Sequence, residues 1–348
     1  MRFIGNKTQL LANIEEVVTR HAPEAESFCD IFSGTASVAR YFKPKYKIYS
    51  NDLLYFSYCL QRGTIETPCK PTFSKLYTLT GISNPLSYFN SLSESDIEEL
   101  PQTSRFIQNN YAPTGNRMYF TDINALRIDF IRNRVEEWRA EKYINEDEYF
   151  YLLACIIEGV PFVSNIAGTY GAFNKTWDKR TSKQFTLIDL PVYNNKKKNL
   201  SFNLDGSELL KHISGDILYI DPPYNERQYL PNYHVLETIA KYDSPELRGV
   251  TGQRPYEQQK SDFCSKKTVV MAFDTLLSNA HFTHIILSYN TDGIMSLDEI
   301  EATMTSHGIA STFEVNYIPY RRFKSRSVST RADELKEMLI YIKTEDKK

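Results

Sequence analysis

Apolar residues near the start of the chain follow the spacings of alternating helices and strands. Residues 8–20 place leucine, isoleucine and valine at helical spacing, which predicts an amphipathic helix. Short runs of β-forming residues at 28–32 and 46–50 predict two strands, and 35–42 predicts a helix between them. The chain therefore begins as a β-α-β unit, which is typical of an α/β protein.

The middle of the chain departs from this rhythm. Residues 61–115 are rich in Ser, Thr, Pro and Asn and contain few long apolar runs. Helices are predicted at 126–141 and 148–159, because apolar residues return there at helical spacing. The Gly-punctuated segment 163–175 predicts a hairpin or a loop with special backbone angles.

The α/β pattern returns after this middle region. Further strands are predicted at 200–204, 216–220, 284–289, 312–320 and 337–342, and further helices at 233–242, 268–280 and 296–306. We therefore predict an α/β domain made of residues 1–60 and 193–348, interrupted by a mostly helical insertion at 61–192.

Composition and charge narrow the class of protein only slightly. The chain has 348 residues, with 41 Lys and Arg against 43 Asp and Glu, so its overall charge favours no anionic partner. Five cysteines form no CxxC pair, which argues against a zinc ribbon or a disulfide framework, and no metal is expected. No apolar run approaches the length of a membrane span, and the opening residues lack an apolar signal core. We therefore expect a cytoplasmic protein with no membrane partner.

A turn of small residues follows the first predicted strand, in the stretch DIFSGTASVARYF. Ser33, Gly34 and Thr35 would let the backbone approach a ligand at the carboxyl end of that strand, where open α/β sheets bind their ligands. Asp52 follows the second predicted strand and would accept both hydroxyls of a ribose. An ordinary tight turn with a surface Asn-Asp pair is an equal alternative. The lack of a GxGxxG pattern argues against a pyrophosphate cofactor.

The stretch ILYIDPPY ends a predicted buried strand in an acid, two prolines and an aromatic ring. Pro222 and Pro223 have fixed φ angles, so Asp221 and the Pro222 carbonyl would form a rigid pair of acceptors beside the Tyr224 ring. Such a pair suits a planar group that carries an NH₂, as a nucleobase does. The alternative is a Pro-rich stop to the strand with Asp221 as a cap. The position after a buried strand, downstream of the small-residue turn, favours the binding site.

The same residues predict a reaction. Hydrogen bonds from an amino group to Asp221 and to the Pro222 carbonyl would leave the nitrogen lone pair available for direct attack on a methyl sulfonium held in line. The amino nitrogen is inaccessible inside a duplex, so the base would have to flip out.

Four motifs resemble those of one enzyme family. They are FIGNK (3–7), DIFSGTASV (30–38), DPPY (221–224) and YNERQYLPNYHVLETIAKYD (224–243). In sequence and order they resemble the Dam-like, alpha-class N6-adenine DNA methyltransferases, which use S-adenosylmethionine, and the resemblance spans nearly the whole chain. It implies a Rossmann-like methyltransferase sheet of seven strands, one of them antiparallel, with an inserted target-recognition domain. Ala36 stands where the FxGxG motif has its second glycine, and its methyl group is tolerable there if φ is negative.

The resemblance also implies a set of site residues. Asp221, Pro222, Pro223 and Tyr224 would be catalytic. The cofactor would be bound by Phe3, Lys7, Asp30, Phe32, Ser33, Gly34, Thr35, Asp52 and Asp205. Within this set, Lys7 would contact the methionine end of the cofactor, Asp52 its ribose and Asp205 its adenine.

Two basic segments predict contacts with DNA. The segment 320–331 carries Arg321, Arg322 and Lys324 between the last two predicted strands, where a solvated loop is the alternative. A second contact surface is predicted within 171–200, a segment that contains seven Lys and Arg residues and only two Asp residues.

The second surface includes Lys175 and adjoins a motif of its own. The stretch NIAGTYGAFNK (165–175) resembles the recognition hairpin of Dam-like enzymes. Tyr170 or Phe173 would either wedge into the base stack or pack inside the protein.

The leading hypothesis is a site-specific DNA methyltransferase that acts on the exocyclic amino group of a flipped-out adenine. It would be the modification enzyme of a restriction–modification system, with duplex DNA as substrate and a cognate restriction endonuclease as a partner. A cytosine amino-methyltransferase or an RNA amino-methyltransferase of the same fold would use the same chemistry. A non-catalytic DNA-binding relic is the alternative from another class.

Overall fold

The computed structural model describes residues 5, 7–319 and 336–345 and divides into two compact units. The helical unit comprises Leu54–Lys196 and Tyr229–Gln258, together with Gly5. The sheet unit takes its described residues from Asn6–Leu53, Lys197–Gln228 and Gln259–Lys348. Each unit has a hydrophobic core of its own.

The described part of the sheet unit is built on one sheet of seven strands. They are β1 (Ser27–Asp30), β2 (Lys47–Asn51), β3 (Leu200–Phe202), β4 (Ser214–Ile220), β5 (His281–Asn290), β6 (Glu314–Pro319) and β7 (Lys336–Lys343). Their order is β3-β2-β1-β4-β5-β7-β6. The strand β7 runs antiparallel to both of its neighbours, and the other pairs are parallel. The predicted sheet of seven strands with one antiparallel strand is confirmed.

The strand order of the sheet reverses between β1 and β4, so the switch point of the sheet lies between these two strands. From β1 the chain adds β2 and β3 on one side, and from β4 it adds β5 and β7 on the other. The two central strands pair in parallel, with Asp30 opposite Tyr219, so Asp30 and Asp221 end neighbouring strands. All four residues of β1 and the last four of β4 are buried, because helices cover both faces of a parallel sheet. Ligands bind at this point in open α/β sheets.

The described residues form thirteen α-helices. They are α1 (Leu11–His21), α2 (Ser37–Phe42), α3 (Tyr55–Gln61), α4 (Ser74–Thr80), α5 (Pro85–Ser91), α6 (Glu94–Glu98), α7 (Phe106–Tyr111), α8 (Asp122–Ala140), α9 (Glu146–Gly159), α10 (Gly206–Leu210), α11 (Leu230–Lys241), α12 (Val269–Ser278) and α13 (Leu297–His307). The helices α3–α9 and α11 lie in the helical unit, and the other five lie in the sheet unit. In the described residues, none of these helices has the length and apolar character needed to cross a membrane.

The helical unit includes a segment that follows the DPPY motif in the sequence. Glu237 of α11 is fully buried, and its carboxylate accepts hydrogen bonds from the backbone N–H groups of Tyr55 and Phe56 at the start of α3. Arg132 of α8 donates to the Ile239 carbonyl at 2.9 Å. These contacts tie α11 to the helices before it. The unit is therefore larger than the predicted insertion at 61–192, whose role as a target-recognition domain stays a prediction.

The segment 163–175 contains turns and no strand. Of the two structures that the sequence predicted for it, the loop is observed. Its backbone is held by the side chain of Asn165, which is fully buried.

Candidate active site

The small-residue turn begins directly after β1. Asp30 is 1% exposed, and its Oδ2 accepts a hydrogen bond from the backbone N–H of Ala39 in α2 at 3.2 Å. The Ser33 hydroxyl donates to the Asp30 carbonyl at 2.7 Å. Strand, turn and helix are therefore fastened together around a buried carboxylate.

Two residues of this turn have left-handed backbone angles. Gly34 has φ of 51°, which glycine adopts without strain, and Ala36 has φ of 58°. The sequence analysis made the tolerance of the Ala36 methyl group conditional on a negative φ, and this condition is not met. The turn keeps the glycine-like conformation, and the alanine costs about 1–2 kcal/mol because its Cβ crowds the following carbonyl.

The end of β2 is joined to the same turn. The Asn51 amide donates to the carbonyls of Ile31 and Leu204, both at 3.1 Å. Asp52 accepts a hydrogen bond from the Gly34 backbone N–H at 2.8 Å. These bonds place the Asp52 carboxylate beside the turn that follows β1, as expected for two adjacent parallel strands.

The DPPY motif lies at the carboxyl end of β4. The side chain of Asp221 is 16% exposed, Pro222 is buried, and Pro223 and Tyr224 are half-buried. Tyr224 packs against the core of the sheet unit, and its carbonyl accepts a hydrogen bond from the Ile294 N–H at 3.1 Å. An acid, two prolines with fixed φ and a partly exposed ring therefore occupy one rigid corner at the switch point.

Lys7 lies in this corner, although it precedes the first helix. Its ammonium is 3.2 Å from Asp221 Oδ1 and 3.3 Å from Glu337 Oε2. Lys7 is 4% exposed and Glu337, near the start of β7, is 6% exposed. One buried ammonium is thus shared between two carboxylates.

Burial and like charges displace the pKa values of these groups. Burial, with Asp221 and Asp52 nearby, raises the pKa of Asp30 to about 8. Burial also raises the pKa of Asp221 to about 6, against the lowering effect of the Lys7 ammonium. Burial opposes the charge of Lys7, but the two carboxylates outweigh it and raise the pKa of that ammonium. Perturbed pKa values of this kind are typical of functional sites.

The motifs, the strand order and the acids at the strand ends agree with a comparison of the whole chain with known protein families. A family model described as "D12 class N6 adenine-specific DNA methyltransferase" matches residues 3–303 of the chain. The chain belongs to this family.

Three named relatives show how far the similarity extends. The chain is 48% identical to "Type II methyltransferase M.FokI" of Planomicrobium okeanokoites, over 98% of this chain and 52% of the relative. It is 42% identical to "Modification methylase StsI" of Streptococcus sanguinis, over 98% of this chain and 52% of the relative. It is 36% identical to "Type II methyltransferase M.NlaIII" of Neisseria lactamica, over 95% of both. The chain spans about half the length of the first two relatives and nearly all of the third.

The charge of the corner fits the methyl donor that a methyltransferase requires. Four carboxylates interact electrostatically in this site: Asp30, Asp52, Asp221 and Glu337. The Lys7 ammonium pairs with two of them, Asp221 and Glu337. The surplus of negative charge suits a cofactor with a sulfonium and an amino group. The residues present therefore fit S-adenosylmethionine.

The remaining predicted cofactor residues have these positions. The Phe32 ring is half-buried and meets the Phe263 ring edge-on at a centroid distance of 5.2 Å. Thr35 is buried in the turn. Asp205 is exposed, and its Oδ1 caps α10 by accepting from the N–H groups of Ser207 and Glu208. Phe3 lies outside the described residues, and contacts with the cofactor stay predictions for all of them.

The predicted DNA-contact residues differ in exposure. Tyr170 is 2% exposed, and its ring packs inside the helical unit with its hydroxyl 3.0 Å from that of Ser164. This position favours the packing role that the sequence left open for Tyr170. Phe173 packs edge-on against Tyr119. Lys175 is exposed, and its contact with DNA stays a prediction.

The other predicted DNA-contact surface is the basic cluster between the last two strands. Arg321, Arg322 and Lys324 lie outside the described residues, so their contacts with DNA stay predictions.

In the part of the chain that the structure describes, no group of three or more His, Cys, Asp or Glu side chains is arranged to hold a metal ion.

Two residues of interest were missed by the sequence analysis. Glu337 reaches Lys7 from β7, and its sequence signal was only that of an acid at the start of an apolar strand. Trp177 is 43% exposed, and Lys175 and Lys179 on either side of it are exposed too. The pattern Lys-x-Trp-x-Lys, an aromatic ring interleaved with cations, was a readable signal for Trp177.

Proposed function

We propose that this chain transfers a methyl group from S-adenosylmethionine to N6 of a flipped-out adenine in duplex DNA. The observation that carries the proposal is Asp221, held at the carboxyl end of β4 next to the strand reversal and followed by two prolines and a partly exposed tyrosine. Membership of the adenine-specific family supports the base. The same membership argues against a cytosine-specific enzyme, an RNA enzyme or a relic without activity.

The chain's own residues would act mainly by positioning. The Tyr224 ring would stack on the flipped base, and Asp221 with the Pro222 carbonyl would accept the two amino hydrogens. These bonds turn the nitrogen lone pair away from the ring, towards the site of the cofactor. When bound, S-adenosylmethionine supplies a methyl group on a positively charged sulfur. Asp221, whose pKa burial raises to about 6, would also receive the proton that the nitrogen loses.

The cofactor would be held by the turn after β1 and by the neighbouring strand ends. Asp52 would accept hydrogen bonds from the ribose hydroxyls, beside the Gly34 N–H that already contacts its carboxylate. The half-buried Phe32 ring and the turn backbone would face the cofactor's apolar parts. Asp30, when ionised, would add negative charge to the cofactor site, which suits a cofactor with a positively charged sulfur.

The proposal is tested by Asp221→Ala. We expect transfer of labelled methyl groups to duplex DNA to fall by on the order of 100-fold or more, because the amino group loses its charged acceptor. Binding of S-adenosylmethionine, measured by calorimetry, should remain within a few-fold of wild type. Asp298→Ala, which removes an exposed acid from α13 of the same unit, is the control and should keep full activity. Near-normal turnover by Asp221→Ala would refute the acceptor role.

The duplex would be contacted by the exposed basic loop of the helical unit. Lys175, Trp177 and Lys179 follow one another at alternate positions, and all three are exposed. The lysines would neutralise phosphates, and the tryptophan would stack on a base or sugar. This assignment replaces Tyr170, whose ring is buried, with Trp177 as the aromatic contact.

The biological setting is also part of the proposal. Two relatives carry the words "modification methylase" in their names, and we infer that this chain modifies DNA in a restriction–modification system in the cytoplasm. Its partner would be an endonuclease that cleaves the same, unmodified site. Sequencing of methylated bases in DNA from cells that express the chain would identify the target site and confirm adenine as the modified base.

A further inference from the structure

Glu337 is a buried acid for which neither the sequence motifs nor the proposed chemistry provides a role. It lies on β7, the antiparallel strand, and pairs in register with Asn290 at the end of β5. Its Oε2 accepts a hydrogen bond from the Lys7 ammonium at 3.3 Å, although the two residues are 330 positions apart in the chain. A buried acid is costly unless it is paired, so its presence beside the DPPY corner needs an explanation.

The geometry shows what Glu337 does to its neighbours. The ammonium of Lys7 lies at nearly equal distances from Glu337 and Asp221, 3.3 Å and 3.2 Å. Without the charge of Glu337, the full attraction of Lys7 would fall on Asp221. A carboxylate that is fully engaged by a buried ammonium is a weaker acceptor for any other donor, because its charge is already compensated.

We propose that Glu337 is a positioning residue for methyl transfer, which shares the Lys7 ammonium so that Asp221 keeps enough negative charge to accept the adenine amino group. The inference rests on the function proposed above. In that scheme Lys7 and Glu337 never touch the base. They set the charge of the group that does.

The charges around Asp221 support this reading. The groups that act on Asp221 from the surrounding elements are Lys7, Glu337, Asp30 and Tyr219. Burial is the main cause of its raised pKa, Lys7 opposes the rise, and Glu337 adds to it. Removing the charge of Glu337 should therefore lower the pKa of Asp221, since the opposing effect of Lys7 remains.

The test uses Glu337→Gln, which keeps the shape and a carbonyl acceptor for Lys7 but removes the charge. We expect kcat for DNA methylation to fall by about tenfold, with KM for S-adenosylmethionine and for DNA nearly unchanged. We also expect the acid limb of the kcat–pH profile, which should lie near pH 6 in the wild type, to move to lower pH. Glu314→Gln, which neutralises a partly exposed acid on β6, is the matched control and should show neither change.

A second variant distinguishes charge from structure. Glu337→Asp keeps the charge but withdraws it from Lys7 by one methylene, so kcat and the acid limb should lie between those of the wild type and Glu337→Gln. If Glu337→Gln does not fold, as judged by circular dichroism, the aspartate variant supplies the same readout.

Two outcomes would overturn the inference. One is a wild-type kcat and pH profile in Glu337→Gln. The other is a lower kcat with an unmoved acid limb in either variant, which would assign Glu337 a purely structural role. If Asp221→Ala is inactive in the same assay, either outcome rejects the role of Glu337 and leaves the proposed function standing. An active Asp221→Ala would instead reject the proposed function itself.

Discussion

The side chain of Asp221 combines properties that the sequence motif alone does not show. Its Oδ1 is 3.2 Å from the Lys7 ammonium, and burial still raises its pKa to about 6. The neighbouring acid, Asp30, has its pKa raised further, to about 8. Asp30 therefore holds its proton to higher pH than Asp221 does. A bound sulfonium would draw Asp30 towards its charged form, because opposite charges favour each other.

Ala36 shows how a residue can depart from a motif without changing the backbone. The position has φ of 58°, the conformation in which glycine is favoured, and the alanine methyl group is fully buried. The turn is held by hydrogen bonds on both sides. The Ala36 N–H donates to the Ser33 carbonyl at 2.7 Å, and Arg40 donates to the Thr35 carbonyl at 2.8 Å. These bonds outweigh the local preference of alanine.

Ala36→Gly should lower the free energy of unfolding much less than Ala39→Gly, a matched change about one helical turn away. Both Ala36 and Ala39 are fully buried, so each glycine variant loses one buried methyl group. At Ala36 the glycine relieves left-handed strain, whereas at Ala39, inside α2, it lowers helix propensity. We expect Ala36→Gly to be more stable than Ala39→Gly by about 2 kcal/mol in urea unfolding. Equal stabilities for the two variants would show that the turn carries no strain.

At the scale of elements, the loop 163–184 is anchored by the buried side chain of Asn165. Asn165 accepts from the backbone N–H of Asp178 at 3.0 Å and donates to the carbonyl of Asn174 at 3.0 Å. These two bonds bracket Lys175 and Trp177. The loop is therefore fixed at its base by a buried amide, and its exposed residues are held in place with little loss of entropy on binding.

Trp177→Ala should weaken binding to duplex DNA. Stacking of an aromatic side chain on nucleic acid contributes about 1–3 kcal/mol, so Kd should rise by roughly five- to 150-fold at fixed salt. Fluorescence anisotropy of a labelled duplex measures this, with Trp177→Phe as the control that keeps a ring and most of the affinity.

The chain's two tryptophans allow a direct optical test of the same contact. Trp138 is 3% exposed, so Trp138→Phe leaves Trp177 as the reporter of the loop. Its fluorescence should be quenched when DNA is added. Unaltered affinity in Trp177→Ala, together with unquenched fluorescence, would contradict a stacking role.

At the scale of the whole molecule, two cores and a nearly balanced charge limit how the protein binds its ligands. The net charge is −2, so attraction to DNA has to come from local groups of cations and not from the overall field. The proposed cofactor residues that the structure describes all belong to the sheet unit, and the proposed basic loop belongs to the helical unit. The two ligands should therefore stabilise different parts of the chain.

S-adenosylmethionine should protect the sheet unit selectively from hydrogen exchange. At a concentration 100 times its Kd, a ligand stabilises the folded state by about 2.7 kcal/mol. We expect slower exchange at the ends of β1, β2 and β4 and in the turn 31–36, with little change in α8 and α9. Asp52→Ala should abolish the effect by weakening ribose binding. Protection confined to α8 and α9 would mean that the cofactor site has been misplaced.

Much of the sheet unit was predictable from local patterns. All seven predicted strands overlap an observed strand, because each is a short apolar run between turn residues. The DPPY motif and the small-residue turn lie at the strand ends where the sequence placed them, because each directly follows a short apolar run. In the middle of the chain, the short helices α4–α7 were missed, since five to seven residues are too few to show a helical period.

The sequence by itself determined the seven strand segments, the two motifs that follow strand ends and the family to which the chain belongs, because each of these is encoded in neighbouring residues. Only the tertiary structure decided which distant residues meet. It brought Glu337 to Lys7, placed α11 in the helical unit, buried Tyr170 and set a positive φ at Ala36. The reason is physical: such contacts depend on strand register and on packing between segments far apart in the chain, and no local period records them.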